Sequence, residues 1–539
     1  MKSRYAGFLI MLSLMPLMAV CIQAQTGGES RTILADRQPG ADMGAKIAAA
    51  DAALGSNPGQ IQVGQSGAIS SAIMLSQNHE LSCMNRQVVL TMSSDKAMIR
   101  QQSHTRIQNC EFASQQTAPP AGGGGEIFAQ NASDLAVRNV TFSGGGHHIL
   151  YHDVSNFRIE NTHHTSITAL SGAAIVIQSS NHGQIVAPQI HDFVEPDGSS
   201  FIRLIGIVKS DAIEVSDPVI RNVDSSTAKG CAGVGFSGSG DSSVKGGAIS
   251  GLHNCDGVLT ESVDMIASVG ITISGTSVTD MDTGPGAGSH AGNGEGFDIF
   301  HSKGIRLSDI TARNNGKFEG NRMPGLEVSA SIHVEITNCD CSDNGLEGIR
   351  IDGSLWVNVN QCRTNNNGGA GIIVEPMFGN VAATNGSPEI EWAPGRANQH
   401  FSAVWPSGTK IIIEHTVYSV GTLESKNKIT LTSGFAQPSG TYAYDVDSYA
   451  EIEGGESSNN GQRGGGTGAR EGVYFSSDNT SRQLLGQVRH LVARDTQSTK
   501  TQTYGIRVEN SGHIVAEGNS IQGNLMGTIR DSPGRSTIR

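Results

Sequence analysis

The chain has 539 residues, a formal net charge of −13, 69 glycines and only 5% aromatic residues. An acidic balance with no basic stripe argues against nucleic acid as a partner, and glycines without a three-residue period exclude collagen. The composition suits short strands and tight turns around a core of small and β-branched side chains.

At the N-terminus Lys2 and Arg4 precede an apolar run from Phe8 to Val20, and Ile22-Gln23-Ala24 offers a cleavage site, so residues 1–24 read as a secretory signal. Cys21 raises a lipoprotein alternative, against which Val20 stands as a bulky residue for a lipobox. The run is short for a spanning helix, and no later segment is apolar enough for one. The expectation is export to the periplasm or beyond, without membrane insertion. Residues 25–60 read as a linker and cap. Within them 40–55 form an amphipathic helix with Met43, Ile47 and Leu54 on one face, ended by Gly55 and Pro58.

From residue 61 to 535 the chain alternates short strands with Gly, Asn, Asp and Ser. One phrase recurs: Ala-Gly-Val-Gly, Asp-Gly-Val-Leu, Glu-Gly-Phe-Asp, Pro-Gly-Leu-Glu, Glu-Gly-Ile-Arg and Ala-Gly-Ile-Ile, built on Gly233, Gly257, Gly296, Gly325, Gly348 and Gly371. The intervals are 24, 39, 29, 23 and 23 residues, and a period near 23 is that of coils stacked on copies of themselves. Such a stack exposes strand edges at its end, which the 40–55 helix is placed to cover. A second phrase places Asn139, Asn161, Asn338 and Gln361 where one strand turns into the next, suited to amides bonding up a ladder. The long intervals put loop insertions near 281–294 and 314–324, and 378–430 breaks the rhythm as a third loop insertion or as distorted coils.

Seven cysteines follow the signal, and three pairs lie one coil apart: Cys83 and Cys110, Cys231 and Cys255, Cys339 and Cys362. Stacked strands are about 4.8 Å apart, near the lower end of disulfide geometry. Stacked side chains point in parallel, which favours a ladder of buried thiols over disulfides. Histidines His147, His148, His152, His163 and His164 fall on two adjacent coils. They are a candidate metal or acid/base cluster, with stacking or surface positions as the simpler alternative.

These repeats, over about 130–377 and 450–525, together with the capping segment, resemble the pectin-lyase-like superfamily of single-stranded right-handed parallel β-helix proteins. The resemblance implies an all-β solenoid and a polysaccharide partner, and leaves the oligomeric state unspecified. Gly294-Glu-Gly-Phe-Asp-Ile-Phe is similar to the Gly-Asp-Gly-Phe phrase of a pectate lyase family, with Phe300 in place of the lysine that would follow. Arg322-Met-Pro324 is similar to the Arg-x-Pro of another lyase family, with Glu327 where an arginine would stand. The Asn-Thr-Asp, Gly-Asp-Asp, Gly-His-Gly and Arg-Ile-Lys signatures of polygalacturonases are absent, as is the Asp-Pro-His-Asp of alginate epimerases.

In each phrase the residue after Gly faces inward and the next outward. Acids and bases therefore collect on the outward face of coils 295–375, as Asp298, Glu327, Arg350 and Asp352, the candidate catalytic set. His290, Lys303, Arg322, Trp392 and Trp405 are candidate substrate-binding residues, because loops and indoles cluster around the same coils. Paired carboxylates on adjacent strands suit glycoside hydrolysis. The same oxygens could hold Ca²⁺ for a lyase, with Lys303, Arg322 or Arg350 as base. A non-catalytic surface or glycan-binding solenoid, with the acids as a solvated ladder, is the remaining alternative.

Overall fold

The computed structural model describes residues 31–539 apart from 117–124, 168–171, 195–200, 226–229, 283–293, 318–321, 396–399, 463–468, 478–483 and 510–511. The signal-like segment 1–24 and His290 lie outside the described residues.

The period-two alternation produces a right-handed parallel β-helix with three strands to a coil. A typical coil runs through Cys231–Ser237 on a first face, Ser243–Lys245 on a second and Ala248–His253 on a third. The next coil repeats it in register, pairing Val234 with Val258, Val244 with Ile273 and Ile249 with Val278. All six of these side chains are fully buried and stack in columns down the interior. Helix α1 (Met43–Leu54) caps the stack. Its N-terminus is held by Asp42, whose carboxylate accepts from the Ala45 N–H at 2.8 Å. Met43, Ile47, Ala50 and Leu54 are buried on the first coils, and Asp51 meets His79 at 2.6 Å inside.

The repeated glycine has a steric cause. At the far corner of the coil runs a buried amide ladder in which Asn344 donates to Asn367, Asn367 to Asn460, and Asn460 to Gln502, each at 3.2 Å. These amides press on the Cα of the phrase glycines. A methyl group at Gly296 would stand 2.8 Å from the Asn315 amide nitrogen, and one at Gly348 2.7 Å from that of Asn367. The turn asparagines have a different task. Asn139, Asn161, Asn338 and Gln361 take φ of 52°, 52°, 54° and 53°, the left-handed region that bends the second strand into the third.

The cysteine expectation is corrected. Cys83–Cys110, Cys231–Cys255 and Cys339–Cys362 are disulfides, with Cα–Cα distances of 5.0, 4.3 and 4.5 Å. Coil spacing leaves the sulfurs close enough for rotamers that turn toward one another. Cys341 remains a buried free thiol.

The histidine cluster divides into an interior pair, His148 and His164, and the half-buried His147, His152 and His163. His148 and His164 are fully buried and stack on Phe142, with ring centroids 5.0 Å from it. His148 Nε2–H donates to the Gly144 carbonyl, its Nδ1 accepts from His164 Nδ1–H at 2.9 Å, and His164 Nε2 accepts from the Thr162 hydroxyl. Every ring nitrogen of the pair is thus engaged within the core, and no group of three or more metal-ligating side chains occurs among the described residues.

The segment 378–430, expected as a loop insertion, belongs to a folded unit. Met377–Ala383, Glu389–Ala393, Lys410–Ile413, Thr416–Ser425, Lys428–Leu431 and Gly440–Val446 close an antiparallel six-stranded barrel. It has its own core around Phe401, Ile411, Tyr418, Ile429 and Tyr444. The β-helix resumes at Ala450–Glu453, paired with Leu355–Asn360 of the coil before the barrel. No helix among the described residues is long and apolar enough to cross a membrane.

Candidate active site

Four consecutive first-face strands carry the candidate site: Phe297–Phe300, Leu326–Ser329, Ile349–Asp352 and Ile372–Glu375. Their inward residues Phe297, Leu326, Ile349 and Ile372 lock the register, which fixes what lies outside. Asp298 pairs with Glu327, Glu327 with Arg350, Ser329 with Asp352 and Asp352 with Glu375. Neighbouring Cα atoms in such ladders are about 4.8 Å apart. All four expected catalytic residues therefore share one patch.

The residue before the phrase glycine supplies a second rank of acids. Asp256 and Glu295 are buried and hydrogen-bonded to each other, and Asp256 also accepts from the Gly294 N–H at 3.0 Å. Glu347 is buried as well. With Glu375 this makes seven carboxyls along the patch and one guanidinium, that of Arg350, which bonds Glu375 at 2.6 Å and has Glu327, Glu347 and Asp352 as its other acidic neighbours.

Seven acids cannot all ionise at such spacing. Lost hydration raises Glu295 and Asp298 well above the usual carboxylate range, and neighbouring acids push them further. For Asp298 those neighbours are Asp256, Glu327 and Asp352. Desolvation also raises Glu327, Arg350 pulls it back, and Asp352, Glu347 and Glu375 oppose that pull, leaving it at about 8. Glu347 is raised to about 7, again by burial first. Burial works against the charge on Arg350, but Glu327, Glu375, Asp352 and Glu347 outweigh it and hold the guanidinium protonated. Arg350 favours the charge on Glu327, whereas Asp298 is acted on by burial and other acids, so the two carboxyls are unequal.

The barrel forms a wall beside this patch. Trp405, expected to offer a face to substrate, is instead 5% exposed, and its indole N–H donates to the Gly353 carbonyl at 3.4 Å. Ser402 donates to the Ala330 carbonyl at 2.5 Å. Both acceptors lie at corners that follow site strands, so Trp405 seats the barrel on the β-helix. Trp392 is half-buried and packs on His400 at 4.2 Å between centroids. His400 in turn acts on His301, which burial first and His400 second lower to about 3. His301 stacks on Phe300 at 3.9 Å. Lys303 lies past the corner, bridged to Val269 and Ile332, exposed on the second face and away from the acids. Arg322 is half-buried at the entry to strand Leu326–Ser329.

Sequence reasoning missed Asp256, Glu295 and Glu347. Their signal was present, since an acid precedes the glycine in three of the six phrases. His301 and His400 carried none, because the barrel brings them together across the fold.

No family model matches the chain, and no curated protein matches its sequence. Among solved structures, PfbA, a surface adhesin of Streptococcus pneumoniae, is 13% identical over 74% of this chain and 98% of its own, with a TM-score of 0.48. The A-module of an Azotobacter vinelandii mannuronan C-5 epimerase is 12% identical over 93% of this chain and 96% of its own, at 0.35. A Yersinia enterocolitica family 28 exopolygalacturonase is 9% identical over 64% and 79%, at 0.36. At these identities and TM-scores the likeness assigns neither a family nor an activity. With three parallel strands to a coil, one capping helix and interior side-chain ladders, the chain is a right-handed parallel β-helix.

Proposed function

We propose that the protein is an exported polysaccharide hydrolase whose reaction takes place on the outward face of coils 295–375. The observation that carries this reading is the unequal carboxyl pair: Asp298 and Glu327 on adjacent strands, with Arg350 beside Glu327 only. Asp298 holds the proton and gives it to the departing glycosidic oxygen. Glu327, ionised beside Arg350, attacks the anomeric carbon or takes a proton from the attacking water. Arg350 positions and charges Glu327, while burial, Asp256 and Asp352 keep Asp298 neutral. Trp392 and Arg322, at the edges of the patch, are proposed to orient the chain.

A lyase base must surrender its proton. Arg350 is held protonated by four carboxylates, which favours hydrolysis over elimination. Those carboxyls of the patch that remain ionised repel a polyuronate, which favours a neutral glycan.

The test incubates the purified protein with neutral and acidic polysaccharides, with and without Ca²⁺, following reducing ends and the absorbance of unsaturated uronides. New reducing ends without absorbance, lost in folded Asp298→Asn and Glu327→Gln, are expected. Absorbance rising with the reducing ends would make the protein a lyase. Silence from folded protein across the panel would leave a non-catalytic glycan-binding solenoid.

A further inference from the structure

The outward column that contains Asp298 continues in register toward the N-terminus. Met74 pairs with Arg100, Arg100 with Phe128, Phe128 with Leu150, Leu150 with Val176, Val176 with Gly206, Gly206 with Gly235, and Gly235 with Leu259, the neighbour of Asp298. Two cavities open on this one column. The outer, of about 450 Å³, is lined by Met74, Arg100, Phe128, Gln102, Gln130 and Asn131. The inner, of about 150 Å³, lies over Val176 and Gly206 between His147, Phe201 and Arg203.

The outer cavity is mainly polar and the inner mainly apolar, yet they share a pairing. Each holds an aromatic ring fixed under a guanidinium, Phe128 beneath Arg100 at 5.4 Å and Phe201 beneath Arg203 at 5.3 Å. Each adds neutral polar groups. Gln102, Gln130 and Asn131 offer paired donors and acceptors to vicinal hydroxyls. His147 accepts from the Ala173 N–H through Nδ1, which leaves Nε2–H as a donor. Arg203 is neutralised by Glu261, across the bare Gly235 over which its side chain lies. Gly206 keeps the floor flat, so a ring can settle on backbone. From Gly206 to Asp298 is three coil steps, about 14 Å, and from Phe128 six, about 29 Å. Only a chain of linked units spans that range.

We propose that the first face from Met74 to Gly206 is a track for one arm of a long neutral polysaccharide lying along the helix axis, with its scissile bond at Asp298. The track rests on the hydrolase reading for its scissile bond, but it binds glycan whether or not turnover occurs. It makes the enzyme selective for polymer over short oligosaccharides.

Two variants test it. A Cβ at Gly206 meets nothing nearer than 3.4 Å, so Gly206→Leu is expected to extend into the inner cavity, with circular dichroism to confirm its fold. Phe128→Ala removes the outer platform. The probes are dextran, mannan, xylan and mixed-linkage β-glucan, each as polymer and as size-fractionated oligosaccharides of known length. Readouts are reducing-end release and retardation in native gels containing the polymer. Both variants are expected to lose about tenfold in kcat/KM on polymer, with turnover of the shortest cleaved oligosaccharide unchanged. Equal loss at every length, or none, overturns the track while leaving the hydrolase reading in place. Loss of turnover at every length in Glu327→Gln, with gel retardation kept, assigns the two roles separately. Should the wild type cleave nothing, retardation decides: weaker retardation of both variants supports the track, and an unretarded wild type overturns it.

Discussion

Arg350→Gln probes the claim that one cation orders the carboxyl pair. A guanidinium about 5 Å from Glu327 at an effective dielectric of about 20 is worth about 3 kcal/mol to the ionised carboxyl. That corresponds to about 2 pH units. Glu327 stands at about 8 with Arg350 in place, so the variant's carboxyl ionises near the edge of the accessible range. The hydrolytic form needs Glu327 ionised and Asp298 protonated. The acidic limb of kcat/KM against pH is therefore expected near pH 8 in the wild type and about 2 units higher in Arg350→Gln. At pH 7 the variant should lose one to two orders of magnitude of activity. The assay is initial reducing-end release from the polysaccharide chosen by the panel, between pH 5 and 10, with circular dichroism to confirm the fold. A limb that stays in place, or moves to lower pH, refutes the assignment of Glu327 as the ionised member.

Glu327→Gln should abolish turnover and stabilise the fold at alkaline pH. The carboxyl rises from 4.5 to about 8 on folding. Its favourable contribution is therefore complete below pH 4.5 and is lost as pH climbs to 8. The gap in melting temperature between variant and wild type should widen over that window, by a free energy on the order of a few kcal/mol, and a constant gap would count against it. His148 behaves oppositely. Burial lowers it to about 4, so stability falls as pH drops from 6.5 toward 4, and denaturant midpoints of His148→Phe should show a shallower acid slope. Gly348→Ala places a methyl 2.6 Å from the Cys341 carbonyl and 2.7 Å from the Asn367 amide nitrogen. It should cost about 1–3 kcal/mol in urea unfolding, and a neutral result would show that the ladder yields.

The coil period, the capping helix and the four-residue patch were legible in the sequence because each follows from alternation in short strands. Inward Phe297, Leu326 and Ile349 fix outward Asp298, Glu327 and Arg350 with no further information. The disulfides were misjudged because parallel Cβ directions say nothing of the rotamers beyond them. The barrel hid because its strands lack the 23-residue period, so its antiparallel pairs read as broken coils. Trp405 was misplaced for the same reason. A loop tryptophan reads as a sugar platform until the unit it seats is known. The acids before the glycines were overlooked because alternation does not govern a corner residue, and only the stack shows that Asp256, Glu295 and Glu347 join the same patch.

The barrel leaves and re-enters the β-helix through one hydrogen-bonded pair, Met377 opposite Val446. Its two ends therefore lie about 5 Å apart, a gap that a tight turn closes. Removing 377–446 keeps the pairing of the coils on either side, through Val357 and Ala450 and through Ile372 and Val473, and bares Ala330 and Gly353 on which the barrel sits. The insertion is in that sense portable. A lineage could acquire, exchange or discard it in one recombination event, changing the wall beside the acids while leaving the acids themselves untouched.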